Sequence, residues 1–305
     1  MKGVSMKLMV TGANGQIGWE LRRNLAALGS VTALDRSQCD LARPSLLPDV
    51  IRSIKPDVIV NAAAYTAVDD AEREETLATT VNGTAAGVLA EEAAKTGALL
   101  VHYSTDYVFD GRKDGPYAED DPPCPVNAYG RSKLAGEVAV RQAGGSWLVL
   151  RTSWVYGVRG RNFLRTMLAL MRERDELRIV SDQIGAPTWA AEIAQATAAV
   201  IESAAHERTE GQFSSGLFHL TASGATSWHG FAAAILNGAT RHALLTRPAP
   251  RLVPIASEDY PRPAARPKNS RLAGERLRLR FGMALPEWEE GLSLCLAEMR
   301  ACEAA

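Results

Sequence analysis

One stretch near the start of the chain limits what it can fold into more than any other. Residues 7–11 read as a short buried strand centred on Leu-Met-Val, and residues 19–28 read as a helix. Between them lies Gly12-Ala-Asn-Gly15-Gln16-Ile17-Gly18, a G-x-x-G-x-x-G loop. Strand, glycine loop and helix in that order open a βαβ unit that binds a dinucleotide. The glycines let the backbone turn tightly and approach a pyrophosphate, and the helix N-terminus offers unpaired N–H groups and a positive dipole end. The stretch from Gly12 through Gln16 and Ile17 to Gly18 is therefore the expected phosphate cradle. No Gly-Lys-Ser/Thr follows, so a P-loop is excluded.

The next strand, 31–34, ends at Asp35, 17 residues beyond Gly18. A carboxylate there accepts from a ribose 2′-hydroxyl and repels a 2′-phosphate, which favours NAD. Arg36 beside it suits the 2′-phosphate of NADP, so use of either NADH or NADPH is expected. Asp40 and Leu41 stand where an adenine edge would lie, and Asp40 reads equally as a turn or helix cap. Residues 43–54 are helical, and Val58-Ile-Val-Asn61 is a third strand. The small residues Ala62, Ala63 and Ala64, followed by Tyr65, leave room for a flat ligand at the strand's carboxyl end. Asn82 opens a helix that runs to Lys95. It reads as a cap or as a polar strut behind the residues considered next.

A fourth strand, 98–103, ends in Ser104-Thr105-Asp106-Tyr107. Ligands of doubly wound sheets bind at strand carboxyl ends, so this hydroxyl cluster is expected at the substrate. A Gly-, Asp- and Pro-rich loop over 111–125 follows as a rim. Then comes Tyr129-Gly-Arg-Ser-Lys133. Residues four apart share a helix face, so phenol and ammonium can enter one cleft. A free tyrosine has a pKa of about 10, and the nearby charge is expected to lower it toward working pH. An apolar strand at 147–151 then leads into Thr152-Ser-Trp154-Val-Tyr156. The alternation of strands and helices to this point implies a parallel α/β sheet. Beyond it the order loosens into helices at 162–174, 190–205, 227–237 and 288–299, with short apolar strands between. The expected organisation is an α/β, Rossmann-type doubly wound domain over 6–160. A smaller α/β substrate-binding domain covers 161–305, some of whose segments return to the first.

Composition narrows the function classes. The 305 residues carry a net charge of −1, which gives no field to attract nucleic acid or an anionic membrane. The first residues lack the apolar run of a secretory signal and no run of 18 apolar residues follows, so neither a leader nor a membrane span is expected. Cys39, Cys124, Cys295 and Cys302 form no C-x-x-C pair, and their scatter suits a reduced, cytoplasmic protein. Met1-Lys-Gly-Val-Ser is polar and precedes the pattern that begins at Met6, as a short extension or with Met6 as the natural start.

Together these marks resemble the extended short-chain dehydrogenases/reductases that act on nucleotide sugars. The general marks are the Gly12/Gly15/Gly18 loop, Asn61-Ala-Ala and the Tyr129/Lys133 pair. The narrower ones are His102-Tyr-Ser-Thr-Asp-Tyr-Val-Phe109, Arg151-Thr-Ser-Trp-Val-Tyr156, Asp182-Gln-Ile-Gly-Ala-Pro-Thr188 and Arg266-Pro-Lys-Asn-Ser-Arg-Leu272. The resemblance implies hydride delivery from NAD(P)H to C4 of dTDP-4-dehydro-β-L-rhamnose. It makes Tyr129 the proton donor to O4. Lys133 becomes the ribose ligand, and Thr105 a hydroxyl on the substrate oxygen. Asp106 and Trp154 become sugar contacts, and Arg266 a residue that meets the diphosphate. Some members hold Mg²⁺ through glutamates at a dimer interface. Glu20 matches one such position, but Glu192 falls one residue late, about 100° round a helix, so no metal is expected. The resemblance leaves room for a homodimer. A nucleotide-sugar epimerase or dehydratase would share these marks but consume no cofactor. A regulatory subunit of the methionine adenosyltransferase type would not need Thr105, Tyr129 and Lys133 together.

Overall fold

The computed structural model describes residues 5–245 and 248–304, so the first four residues of the N-terminal extension lie outside it. The first half alternates as the residue pattern requires. β1 (Met6–Thr11), α1 (Gln16–Asn24), β2 (Gly29–Leu34), α2 (Leu47–Ile54) and β3 (Val58–Asn61) are followed by the short helices α3 (Val68–Ala71) and α4 (Glu75–Thr79). Next come α5 (Ala85–Thr96), β4 (Leu99–Thr105), α6 (Ala128–Ala143), β5 (Ser146–Thr152) and β6 (Val155–Tyr156). All seven residues of β4 are buried, as a strand covered by helices on both faces must be.

The second half holds α7 (Phe163–Glu173), β7 (Glu176–Val180), β8 (Ile184–Gly185), β9 (Thr188–Trp189), α8 (Ala190–Thr209), β10 (Gly216–His219), β11 (Thr226–Ser227), α9 (Trp228–Arg241), β12 (Arg251–Ile255), α10 (Glu275–Phe281) and α11 (Trp288–Ala304). The central sheet is parallel and six-stranded, in the order β10-β5-β4-β3-β1-β2. β10 comes from the second half of the chain and lies beside β5, with Phe218 against Leu150. Ile193, Val200 and Ile201 of α8 bury with Leu21 and Leu25 against one face of this sheet. On the other face, Ile51 of α2 and Leu89 of α5 pack on Met9, Ile59 and Leu100.

A second core joins α7, α9 and α11 around Met167, Phe231, Ile235 and Leu292. The strands β7 and β12 form a small parallel pair beside it. Among the described residues no helix is long and apolar enough to cross a membrane. Thr11, Asn61, Thr105, Thr152 and His219 end five neighbouring strands of the main sheet. The side chains with chemistry gather along that edge.

Candidate active site

The glycine loop is built by close backbone approach. Gly12 has φ +74°, and a Cβ there would lie 2.8 Å from the backbone of Ala63. A Cβ on Gly18 would lie 2.1 Å from the Gly12 carbonyl oxygen. Gly15 is different: it is exposed, and an added Cβ meets only the Gly12 oxygen, at 3.2 Å. It precedes α1 without a side-chain cap. This is a turn closed from within and open outward at the helix N-terminus, which suits a pyrophosphate. Ile17 packs against the sheet core. Gln16 ties the loop to the second half of the chain, its amide oxygen accepting from Asn162 Nδ2 at 2.8 Å.

Asp35, at the end of β2, accepts from the backbone N–H and hydroxyl of Ser37 at 2.9 and 2.6 Å. Those bonds hold its carboxyl below the usual aspartate value. Arg36 is paired with Asp40 at 3.4 Å, and Asp40 also accepts from the Ala42 N–H at 3.1 Å. The turn-cap reading of Asp40 therefore describes its contacts. The side chain of Leu41 lies in the core with Met9 and Leu34. Ala63, Ala64 and Tyr65 are half-buried beyond β3. Asn82 braces them from a widened turn at Thr80–Thr84, where it caps no helix. Its amide oxygen accepts from the Tyr65 N–H at 2.9 Å, and its Nδ2 donates to the Tyr65 carbonyl and to Ser132 Oγ, at 3.0 and 2.9 Å. Single wide turns of this kind are frequent at functional sites.

Asn127 caps α6 through the Gly130 N–H at 2.8 Å, which fixes the first turn where Tyr129 sits. Gly130 is required there, since a Cβ would stand 2.2 Å from the Tyr107 carbonyl oxygen. Tyr129 is 9% exposed and meets Tyr107 edge-on at 5.6 Å. Lys133 is buried, and its ammonium donates to the Tyr103 carbonyl at 2.6 Å. The expected lowering of the tyrosine pKa does not occur. Burial pushes the phenol well above its ordinary value, a hydrogen bond with Thr105 opposes this, and the charge of Asp106 adds to it. Burial also draws Lys133 down to about 8, against the pull of Glu137. At neutral pH Tyr129 is thus a neutral phenol and Lys133 an ammonium, the forms that donate.

Thr105 ends β4, where its hydroxyl donates to Asp106 Oδ1 at 3.0 Å and accepts from the Tyr107 N–H at 3.2 Å. Asp106 is 3% exposed. Burial raises its carboxyl to about 6, while bonds from Ser270 and Thr105 work to lower it. A buried acid poised near neutrality beside a hydroxyl is the kind of perturbed group found at reaction centres.

Trp154 has φ +48°, a strained conformation for a bulky residue. It stacks face to face on Trp228 at 3.5 Å and 4°. A cleft of about 510 Å³ runs along Trp228, Phe163, Gln183 and Tyr107 to Arg178, Arg262 and Arg266. Aromatic walls ending in arginines fit a base and a diphosphate. Arg266 and Arg262 share Asp69, at 2.9 and 2.6 Å. Sequence reasoning gave no site role to the cleft residues Trp228, Phe163, Arg178 and Arg262, and Gln183 entered only within the run 182–188. The basic, Pro-bounded run 261–267 was a signal for Arg262. A tryptophan opening an amphipathic helix carries none, because the same pattern serves a core.

The glutamates of the metal comparison, Glu20 and Glu192, both act on the buried thiol of Cys295 in α11, as does Glu298. Burial and then the charge of Glu298 raise Glu20, while burial and then Glu290 raise Glu192 to about 7. Among the described residues no three or more His, Cys, Asp or Glu are placed to hold a metal ion.

Comparison with known proteins identifies the family. A family model described as the RmlD substrate binding domain matches residues 6–301. The chain is 55% identical over 300 residues to the dTDP-4-dehydrorhamnose reductase of Burkholderia thailandensis, covering 96% of this chain and 99% of that one. It is 45% identical over 298 residues to the Salmonella typhimurium protein of the same name, covering 96% and 98%. Among solved structures, the dTDP-4-dehydrorhamnose reductase of Bacillus anthracis in complex with NADP matches with a TM-score of 0.87 at 36% identity, covering 97% of this chain and all of that one.

Proposed function

The chain belongs to the RmlD substrate-binding-domain family, and from that premise we propose that it is an NAD(P)H-dependent oxidoreductase reducing the C4 ketone of dTDP-4-dehydro-β-L-rhamnose. The product is dTDP-L-rhamnose, and the step is the last of dTDP-rhamnose biosynthesis. The observation that carries the reading is the meeting of Tyr129, Lys133 and Thr105 at the end of β4, within one fold with the glycine loop.

A nicotinamide cofactor held here would supply the hydride for the ketone carbon. The residues do the rest. Gly15 and the α1 N-terminus admit the pyrophosphate, and Asp35 takes the adenosine ribose. Lys133 donates to the second ribose. As charge builds on O4, Tyr129 gives it a proton, and Thr105 holds the same oxygen. Donors aimed at developing charge in a dry site are worth far more than in water. Trp154 and Asp106 flank the sugar, and Arg266 with Arg262 meets the diphosphate. A cytoplasmic location accompanies this reading, which leaves room for a homodimer.

Enzymatically made dTDP-4-dehydro-β-L-rhamnose is the test substrate. Equimolar oxidation of NADPH or NADH with dTDP-L-rhamnose as product supports the reading. Conversion of the sugar without loss of reduced cofactor would instead make the chain an epimerase or dehydratase.

A further inference from the structure

The mechanism above does not use Glu137, yet few side chains in the site are so fully engaged. It is 2% exposed and lies four residues after Lys133 on α6, on the same face. Arg151 of β5 grips its carboxylate with both arms of the guanidinium, Nε to Oε1 at 2.8 Å and Nη2 to Oε2 at 2.7 Å. Ser104 of β4 donates to Oε1 at 2.5 Å. Ser104 and Arg151 stand opposite each other in the β4–β5 register, one step before Thr105 and Thr152. The carboxylate therefore pins α6 to the two strands that end in the candidate site. The packing leaves little slack: a Cβ on Gly136 would lie 2.2 Å from the Asn82 carbonyl oxygen.

The charges matter as much as the bonds. Lys133 and Arg151 are both buried, and Arg151 lies 4.9 Å over the Phe109 ring. An uncompensated buried charge is strongly unfavourable. The groups facing Lys133 from β4 are the Tyr103 carbonyl and the His102 imidazole. His102 is held neutral, pushed well down by burial and then by Lys133 itself. From β5 the cation Arg151 engages the Glu137 carboxylate, and on α6 the neutral phenol of Tyr129 stands one turn before Lys133. Among the described residues, Glu137 is the anion whose charge raises Lys133.

We propose that Glu137 is a positioning residue of this site, which seats α6 on β4 and β5 and sets the charge balance around Lys133, with Arg151 as the opposing charge. The inference deepens the reductase reading and rests on it for the role of Lys133. Its test does not depend on turnover. The titration of Lys133 is followed by NMR of protein labelled at the lysine side-chain carbons, with Lys133→Met identifying the signal. Glu137→Gln should move the midpoint to lower pH, and Arg151→Met should move it to higher pH, each by on the order of one unit. Where activity is present, the basic limb of kcat against pH should move the same way. A pair that merely bolts helix to sheet would lower Tm in both variants and leave the Lys133 midpoint in place. Unmoved midpoints, or shifts in the same direction, overturn the proposal. If Glu137→Gln does not fold, Glu137→Asp carries the test. Its carboxylate is drawn back from Lys133, so the midpoint must fall, and an unmoved one is equally fatal. An inactive wild-type protein with opposite midpoint shifts would refute the reductase reading and leave Glu137 with the charge-setting role assigned here.

Discussion

Two substitutions in the glycine loop separate the part that folds from the part that binds. Gly18→Ala places a methyl 2.1 Å from the Gly12 carbonyl oxygen, where an ordinary contact needs 3.4 Å or more. Loop and helix must part by about 1 Å, in the manner of an overpacked core, which costs about 1–3 kcal/mol. For a chain of this size that is a Tm drop of about 2–5 °C. Gly15→Val meets a different environment. The position is exposed, its φ is −74°, and its nearest contact is 3.2 Å from the first added atom. Tm should move by less than about 2 °C, since surface changes stay within about 0.5 kcal/mol. The valine, however, stands in front of the α1 N–H groups. NAD(P)H affinity should fall at least about tenfold, or about 1.4 kcal/mol. The assay is cofactor fluorescence titration beside thermal melts monitored by circular dichroism. A Gly15→Val protein that binds as the wild type does removes the pyrophosphate from this loop. A Gly18→Ala protein with unchanged Tm would mean that the close approach of α1 to Gly12 is wrong.

The remaining expectations concern charge and protons. Tyr129→Phe should lower kcat about 10²–10⁴-fold with cofactor affinity kept. Lys133→Met should lose both, and Thr105→Val should cost less than Tyr129→Phe; steady-state kinetics that reverse this order would assign the proton to another group, Asp106 first. Asp35→Ala should raise the NADPH/NADH ratio of kcat/KM, because it removes the carboxylate that repels a 2′-phosphate, and an unchanged ratio would take Asp35 out of the ribose site. Glu192 is raised from 4.5 to about 7 by burial and Glu290, so its contribution to stability is full below pH 4.5 and is lost as pH rises through about 7. Glu192→Gln should therefore gain on the wild type between pH 5 and 8, by about 1–3 kcal/mol in urea unfolding, and a constant difference across that range would contradict the raised carboxyl.

The legible parts of this molecule are those set by local pattern. The run from Lys7 to Leu28 gave strand, turn and helix because a buried strand and a helix with a polar face differ in period. Tyr129 and Lys133 could be placed on one face because the i, i+4 relation is local. Pairings across long separations were not readable. β10 pairs with β5 some 68 residues earlier, Gly216 with Leu148, and only tertiary packing decides that. α10 escaped notice because Glu-Arg-Leu-Arg-Leu-Arg-Phe alternates with a period of two, like a strand. The ionisation of Tyr129 was misjudged for a related reason. Spacing puts Lys133 near the phenol, but burial and the Tyr103 carbonyl decide what each charge does. The Trp154–Trp228 stack joins two halves of the chain 74 residues apart, beyond any local signal.

The central claim is that this chain moves a hydride from the nicotinamide to C4 of a dTDP-linked 4-ketosugar. Its most direct test is reduction of dTDP-4-dehydro-β-L-rhamnose with NADPH or NADH deuterated at the transferring C4 position, with the product read by NMR and mass spectrometry. The account predicts one deuterium per turnover, at C4 of dTDP-L-rhamnose, with one equivalent of cofactor oxidised. A product lacking deuterium at C4, or an altered sugar with the reduced cofactor intact, would contradict it.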